Sequence, residues 1–150
     1  MQIRTILVPT DFSPDATAAL DLAVELARRF DARIELFHAY HLEVPPFYAG
    51  LGGDFTTPFD IVEPIRKEAE GAMEKLVADV GARGVETKGR VVMERAAAAI
   101  VDEAERLGAD LVVLGTRGLT GLDHMLLGST AERVVRLAPC PVLTVKAKPA

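Results

Sequence analysis

A chain of 150 residues, 49% hydrophobic and 26% charged, has the length of one ordinary domain and enough apolar residues for a sizeable core. Seventeen basic against twenty-two acidic residues leave a formal charge of −5, which argues against nonspecific nucleic-acid binding and against polybasic attachment to anionic lipid. No run approaches the ~20 apolar residues of a membrane helix, the apolar N-terminus is too short for a signal peptide, and a single cysteine rules out an internal disulfide, so a cytoplasmic protein is expected.

Residues 5–8, Thr-Ile-Leu-Val, read as a buried strand. Ser13 then offers a helix cap and Pro14 a first helical residue, after which Leu20, Ala23, Val24, Ala27 and Phe30 recur as one core-facing stripe. Asp11, in the connecting loop, either braces the helix N-terminus or meets a ligand in the crevice beyond the strand, and the sequence leaves both readings open. Residues 33–40 form a second strand with Ile34, Leu36 and His38 on one side and Phe37 and Ala39 on the other. His38 reads as a satisfied core histidine. His41 and His124 fall in loops, and the three histidines lack the i, i+4 spacing of a preassembled site, so no metal ligand is assigned.

Residues 42–60 are irregular, with Pro45, Pro46, Gly50, Gly52, Gly53 and Pro58 interleaved with Phe47, Tyr48, Phe55 and Phe59. So long a connection is expected to be functional or mobile. It could cover a ligand, pack on a second subunit, or be an insertion anchored by its aromatic residues, and the last reading is preferred. A second helix over residues 61–82 carries the stripe Val62, Ile65, Ala69, Met73, Leu76 and Val80, with Met73 as core packing. Residues 85–91 alternate charged and uncharged positions, as a strand at a sheet edge does. A third helix over residues 96–107 is expected to bury Ala97, Ile100, Val101 and Ala104 and to end at Gly108.

Residues 110–114, Asp-Leu-Val-Val-Leu, are a strand buried on both faces. Gly115 ends it, Gly118 follows, and the stretch closes at Gly128-Ser129-Thr130, where Ser129 and Glu132 stand in capping-box spacing ahead of a short helix over residues 132–138. A glycine-bearing loop leading into a helix N-terminus suits an anion, because missing Cβ atoms let a phosphate approach unpaired N–H groups and the helix dipole. Each piece alone also occurs in proteins that bind nothing. No lysine follows Gly128, which excludes a P-loop, and no glycine follows the first strand, which excludes the dinucleotide fingerprint. Cys140, between Pro139 and Pro141, reads as inert packing, and residues 141–146 are the last strand.

The element order β-α-β-α-β-α-β-α-β predicts an open parallel sheet with helices on both faces. Of two common strand orders, 3-2-1-4-5 puts the polar third strand at an edge and brings the loops after strands one and four together at the switch point where such folds bind ligands, so this Rossmann-like order is preferred over 2-1-3-4-5. One domain over residues 1–150 is expected.

Gly115, Gly118, Gly128 and Ser129 fit G-x2-G-x9-G-[ST]. Together with Ile6-Leu-Val-Pro-Thr-Asp11, His38 and Ala138-Pro-Cys-Pro-Val-Leu, this pattern resembles the universal stress protein family along nearly the whole chain. The resemblance implies the 3-2-1-4-5 sheet, homodimers, and the ATP-binding subclass in which the glycine motif is intact. It implies that Pro9, Thr10 and Asp11 line the adenosine side, that Ala39 offers backbone groups to the adenine edge, and that Leu114 and Gly115 flank the ribose. Arg117, Gly118, Gly128, Ser129 and Thr130 would hold the phosphates, with Mg²⁺ carried by the nucleotide and few protein ligands. Ala131 stands where some ATP-binding members carry a hydroxyl.

The reading that follows is an ATP-binding regulatory module. Its alternatives are a slow ATPase or nucleotidyl-transfer enzyme, for which no catalytic base is assembled, and a dimerisation module without nucleotide. Residues 142–145 (Val142, Leu143, Thr144, Val145) at the outer edge lack the charges, bulge or interior proline that protect an edge, so a homodimer through this strand is expected.

Overall fold

The computed structural model describes residues 2–43, 58–118 and 127–148; Phe47, Tyr48, Phe55 and His124 fall outside them. Five parallel strands, β1 (Thr5–Pro9), β2 (Arg33–Tyr40), β3 (Thr87–Met93), β4 (Leu111–Gly115) and β5 (Val142–Val145), stand in the order β3-β2-β1-β4-β5. The intervening helices are α1 (Pro14–Phe30), α2 (Pro58–Ala82), α3 (Ala96–Leu107) and α4 (Ser129–Leu137).

The period of two along β1 explains the layering. Ile6 and Val8 join Ile34, Leu36 and Val113 under α1 and α2, whereas Leu7 joins Phe37, Val112 and Leu114 under α3 and α4. Every residue of β1 is buried, as the central strand of a sheet covered on both faces requires. β1 pairs with β4 only at Ile6↔Leu111 and Leu7↔Val112. The strand order reverses at this pair, because β2 and β3 extend to one side of β1 and β4 and β5 to the other.

Several expectations shift. β3 starts at Thr87 and not at residue 85, since Gly84 turns with φ +80 and Val85 is spent as a buried plug under the sheet. α2 begins at Pro58, three residues earlier than expected, and Met73 is buried against Gly89, where a Cβ would lie 2.6 Å from Met73 Cγ. Phe30 is not core: at the last turn of α1 it is 48% exposed. The buried face of α3 is Ala99, Ile100, Glu103 and Ala104, not the Ala97 and Val101 face. The face turns because Glu103 accepts from Arg90 at 2.5 Å and from Arg106 at 2.6 and 2.8 Å, so a charged residue is tolerated inside. Hydrogen bonds from Arg106, and the charges of Arg90 and Arg106, outweigh burial and hold the Glu103 carboxyl below the usual carboxylate range.

Candidate functional site

At the C-terminal ends of β1 and β4, where the strand order reverses, the structure opens a cavity of about 710 Å³. That volume is within the range of small-molecule sites. All eleven residues singled out for a ligand line it: Pro9, Thr10, Asp11, Ala39, Leu114, Gly115, Arg117, Gly118, Gly128, Ser129 and Thr130. The side formed by β2 and α3 is apolar, with Phe37, Ala39, Ala96 and Ile100. The side formed by the exit of β4 and the start of α4 is polar.

The β1–α1 turn is built from local hydrogen bonds. Thr10 Oγ1 accepts from Phe12 N at 3.0 Å, Asp11 Oδ1 accepts from Ser13 N at 3.0 Å, and Ser13 Oγ caps α1 by accepting from Ala16 N at 3.2 Å. Phe12 sits in the left-handed region at φ 61, uncommon for a bulky residue, and its ring rests 4.8 Å from that of His38. His38 is satisfied but half-buried, not in the core as expected: its Nδ1 lies 2.7 Å from Thr10 O, which ties β2 to the same turn. His41, expected only as a loop residue, lines the cavity.

The motif glycines do different things. A Cβ on Gly115 would lie 2.8 Å from the Asp15 carbonyl carbon and 2.9 Å from Ala16 N, so this glycine lets the first turn of α1 pack on the end of β4. A Cβ on Gly118 would meet Asp11 Oδ2 at 2.7 Å, and one on Gly128 would meet Thr116 O at 3.2 Å. Gly128 N donates to Thr116 O at 2.6 Å, tying the start of α4 to the exit of β4. None of the three has a positive φ; they are required by close approach rather than by backbone conformation.

The capping-box reading of Ser129 is corrected. Gly128 is the N-cap, no side chain among the described residues caps α4, and Ser129 is already helical; the first intrahelical bond runs from Glu132 N to Gly128 O at 2.9 Å. The N–H groups of Ser129, Thr130 and Ala131 therefore have no intrahelical acceptor, and all three residues line the cavity. Ala131 is buried in the α3–α4 core.

Sequence reasoning missed Asp15. It is 4% exposed in the first turn of α1, and its carboxylate accepts from Thr116 Oγ1 at 2.9 Å, Arg117 N at 3.1 Å, Ala147 N at 3.1 Å, and the Arg117 guanidinium at 3.2 and 3.3 Å. Burial pushes its pKa up, but these hydrogen bonds and the charge of Arg117 prevail and hold it below the usual carboxylate range. An acid in a first helical turn reads simply as a complement to the dipole, and nothing in the spacing separates Asp15 from that ordinary role. Arg117, expected to serve the ligand alone, thus has a protein partner.

The model of the universal stress protein family matches residues 2–146. The chain is 38% identical over 143 residues to universal stress protein MJ0531 of Methanocaldococcus jannaschii, covering 95% of this chain and 82% of that one. Among solved structures, the protein MJ0577 superimposes with a TM-score of 0.84 at 28% identity over all of both chains. A universal stress protein from Archaeoglobus fulgidus, solved in complex with dAMP, gives 0.66 at 26% identity, covering 97% of this chain and 100% of that one.

Proposed function

The chain belongs to the universal stress protein family, and on that premise we propose that it binds ATP in the β1–β4 crevice and acts as a nucleotide-dependent regulatory module, as a homodimer. The observation that carries the reading is a cavity apolar on one side and, on the other, floored by a helix N-terminus that no side chain among the described residues caps. The adenine ring and ribose fit the β2–α3 side, where Ala39 lends backbone groups, and the phosphates fit the N–H groups of Ser129, Thr130 and Ala131 beside Arg117, Gly118 and Gly128. The dAMP complex of the Archaeoglobus fulgidus relative supports a nucleotide in this fold. Mg²⁺ carried in with the nucleotide would offset the charge of its phosphates. Outermost in the sheet and partly exposed, β5 supports pairing of two copies about a twofold axis.

Calorimetry with nucleotide-free protein tests the proposal. ATP with Mg²⁺ is expected to bind in the micromolar range, about −8 kcal/mol. No heat at millimolar ATP, together with no copurifying nucleotide, would leave the module reading in its place.

A further inference from the structure

Two carboxylate–arginine sets in this molecule are built differently. Around Glu103 the guanidinium contacts are 2.5 to 2.8 Å, the short range of charge-assisted bonds. Around Asp15 they are 3.2 and 3.3 Å, and the guanidinium is one donor group among several. Without it, Asp15 still accepts from Thr116 Oγ1, Arg117 N and Ala147 N, which leaves only one of roughly four acceptor positions open. Arg117 lines the cavity with its side chain 26% exposed, and leaving Asp15 would not strand a buried charge without partners.

We propose that Asp15 is a specificity-determining residue of this site: it competes with ligand phosphates for the Arg117 guanidinium and so holds down the preference for nucleotides of higher charge. This rests on the nucleotide reading above. Among the described residues, Arg117 is engaged by Asp15 as an ion pair, Asp11 also lines the cavity, and the N–H groups at the start of α4 supply further attraction for phosphate. Each added phosphate then meets Asp11 in the lining and has to draw Arg117 away from the buried Asp15. Asp15→Asn removes one of those charges and loosens the hold on Arg117. Both effects favour phosphate-bearing ligands, and neither acts on adenosine.

The test measures the affinities of ATP, ADP, AMP and adenosine at fixed Mg²⁺ for the wild type and Asp15→Asn, with thermal melting to show that the variant is folded. Asp15→Asn is expected to raise the ATP-to-adenosine affinity ratio about tenfold while adenosine affinity stays within about twofold. An unchanged ratio, or ATP and adenosine weakened in parallel, would overturn the proposal and leave Asp15 a structural tie. In the wild type, the Nε–H resonance of Arg117 should move on adding ATP and stay in place with adenosine. Should the variant not fold, this measurement decides: a resonance that stays put while calorimetry shows ATP bound refutes the competition. A wild type that binds no nucleotide at all overturns the nucleotide reading itself, and this inference with it.

Discussion

Gly115 and Gly118 belong to one motif, and the structure predicts opposite consequences for the same substitution. In Gly115→Ala the new methyl would lie 2.8 to 2.9 Å from the carbonyl carbon and Cβ of Asp15 and the amide nitrogen of Ala16, atoms fixed in the first turn of α1. Relief requires the helix to move off β4, an overpacking cost of about 1–3 kcal/mol. For a domain of this size that is a fall in melting temperature of roughly 3–10 °C. In Gly118→Ala the near atom is Asp11 Oδ2, the end of a side chain and not backbone, and among the described residues the next contact, at 3.9 Å, is the Cγ of the same carboxylate, which can yield by a small shift that keeps its Oδ1 on Ser13 N. Stability should change by less than about 0.5 kcal/mol, the usual scale for surface positions. The methyl and the displaced carboxylate would instead occupy the polar side of the cavity, and ATP affinity is expected to fall about tenfold or more, some 1.4 kcal/mol. The assay is paired: thermal melting of nucleotide-free protein and calorimetry with ATP on each variant. If Gly115→Ala melts with the wild type, or Gly118→Ala loses more stability than affinity, the division of labour between the two glycines is wrong.

Three further outcomes are expected. Because the Asp15 carboxyl titrates below its ordinary value of 3.8 when folded, the unfolded chain binds that proton more readily; its stabilisation is complete above the unfolded value and fades as pH falls through the folded one. Urea midpoints from pH 5 to pH 2 should therefore converge between wild type and Asp15→Asn at the acid end, and parallel curves would contradict the assignment. Thr144→Pro, which removes a backbone N–H from β5, should shift a dimer toward monomer in sedimentation, whereas Leu143→Lys would confound assembly with stability because Leu143 packs on the α1 side of the core. Multiple-turnover phosphate release should run well below the ~10 s⁻¹ enzyme median, and a rate near it that is lost on substituting Asp11 would make this protein an enzyme.

Local patterns determined a great deal here. The apolar run of β4, the Ser13–Pro14 start of α1 and the bounds of β2 and α3 follow from burial periodicity, capping and proline geometry, which act within a few residues. The polar alternation of β3 was enough to choose the strand order, because an edge strand has one neighbour and meets water. The glycine spacing pointed to the cavity for the same reason, since a missing Cβ is legible wherever it stands. What the cavity's residues do to one another was beyond that reach. Gly115 serves the packing of α1, Gly128 takes the cap that Ser129 was expected to supply, and Asp15 gathers groups from residues 116, 117 and 147. Those partners lie 101 to 132 positions from Asp15, and only the crossing of β4 back beside β1 brings them within hydrogen-bond distance. A buried carboxylate takes its role from the donors the fold delivers to it, and no pattern within one turn of a helix records them.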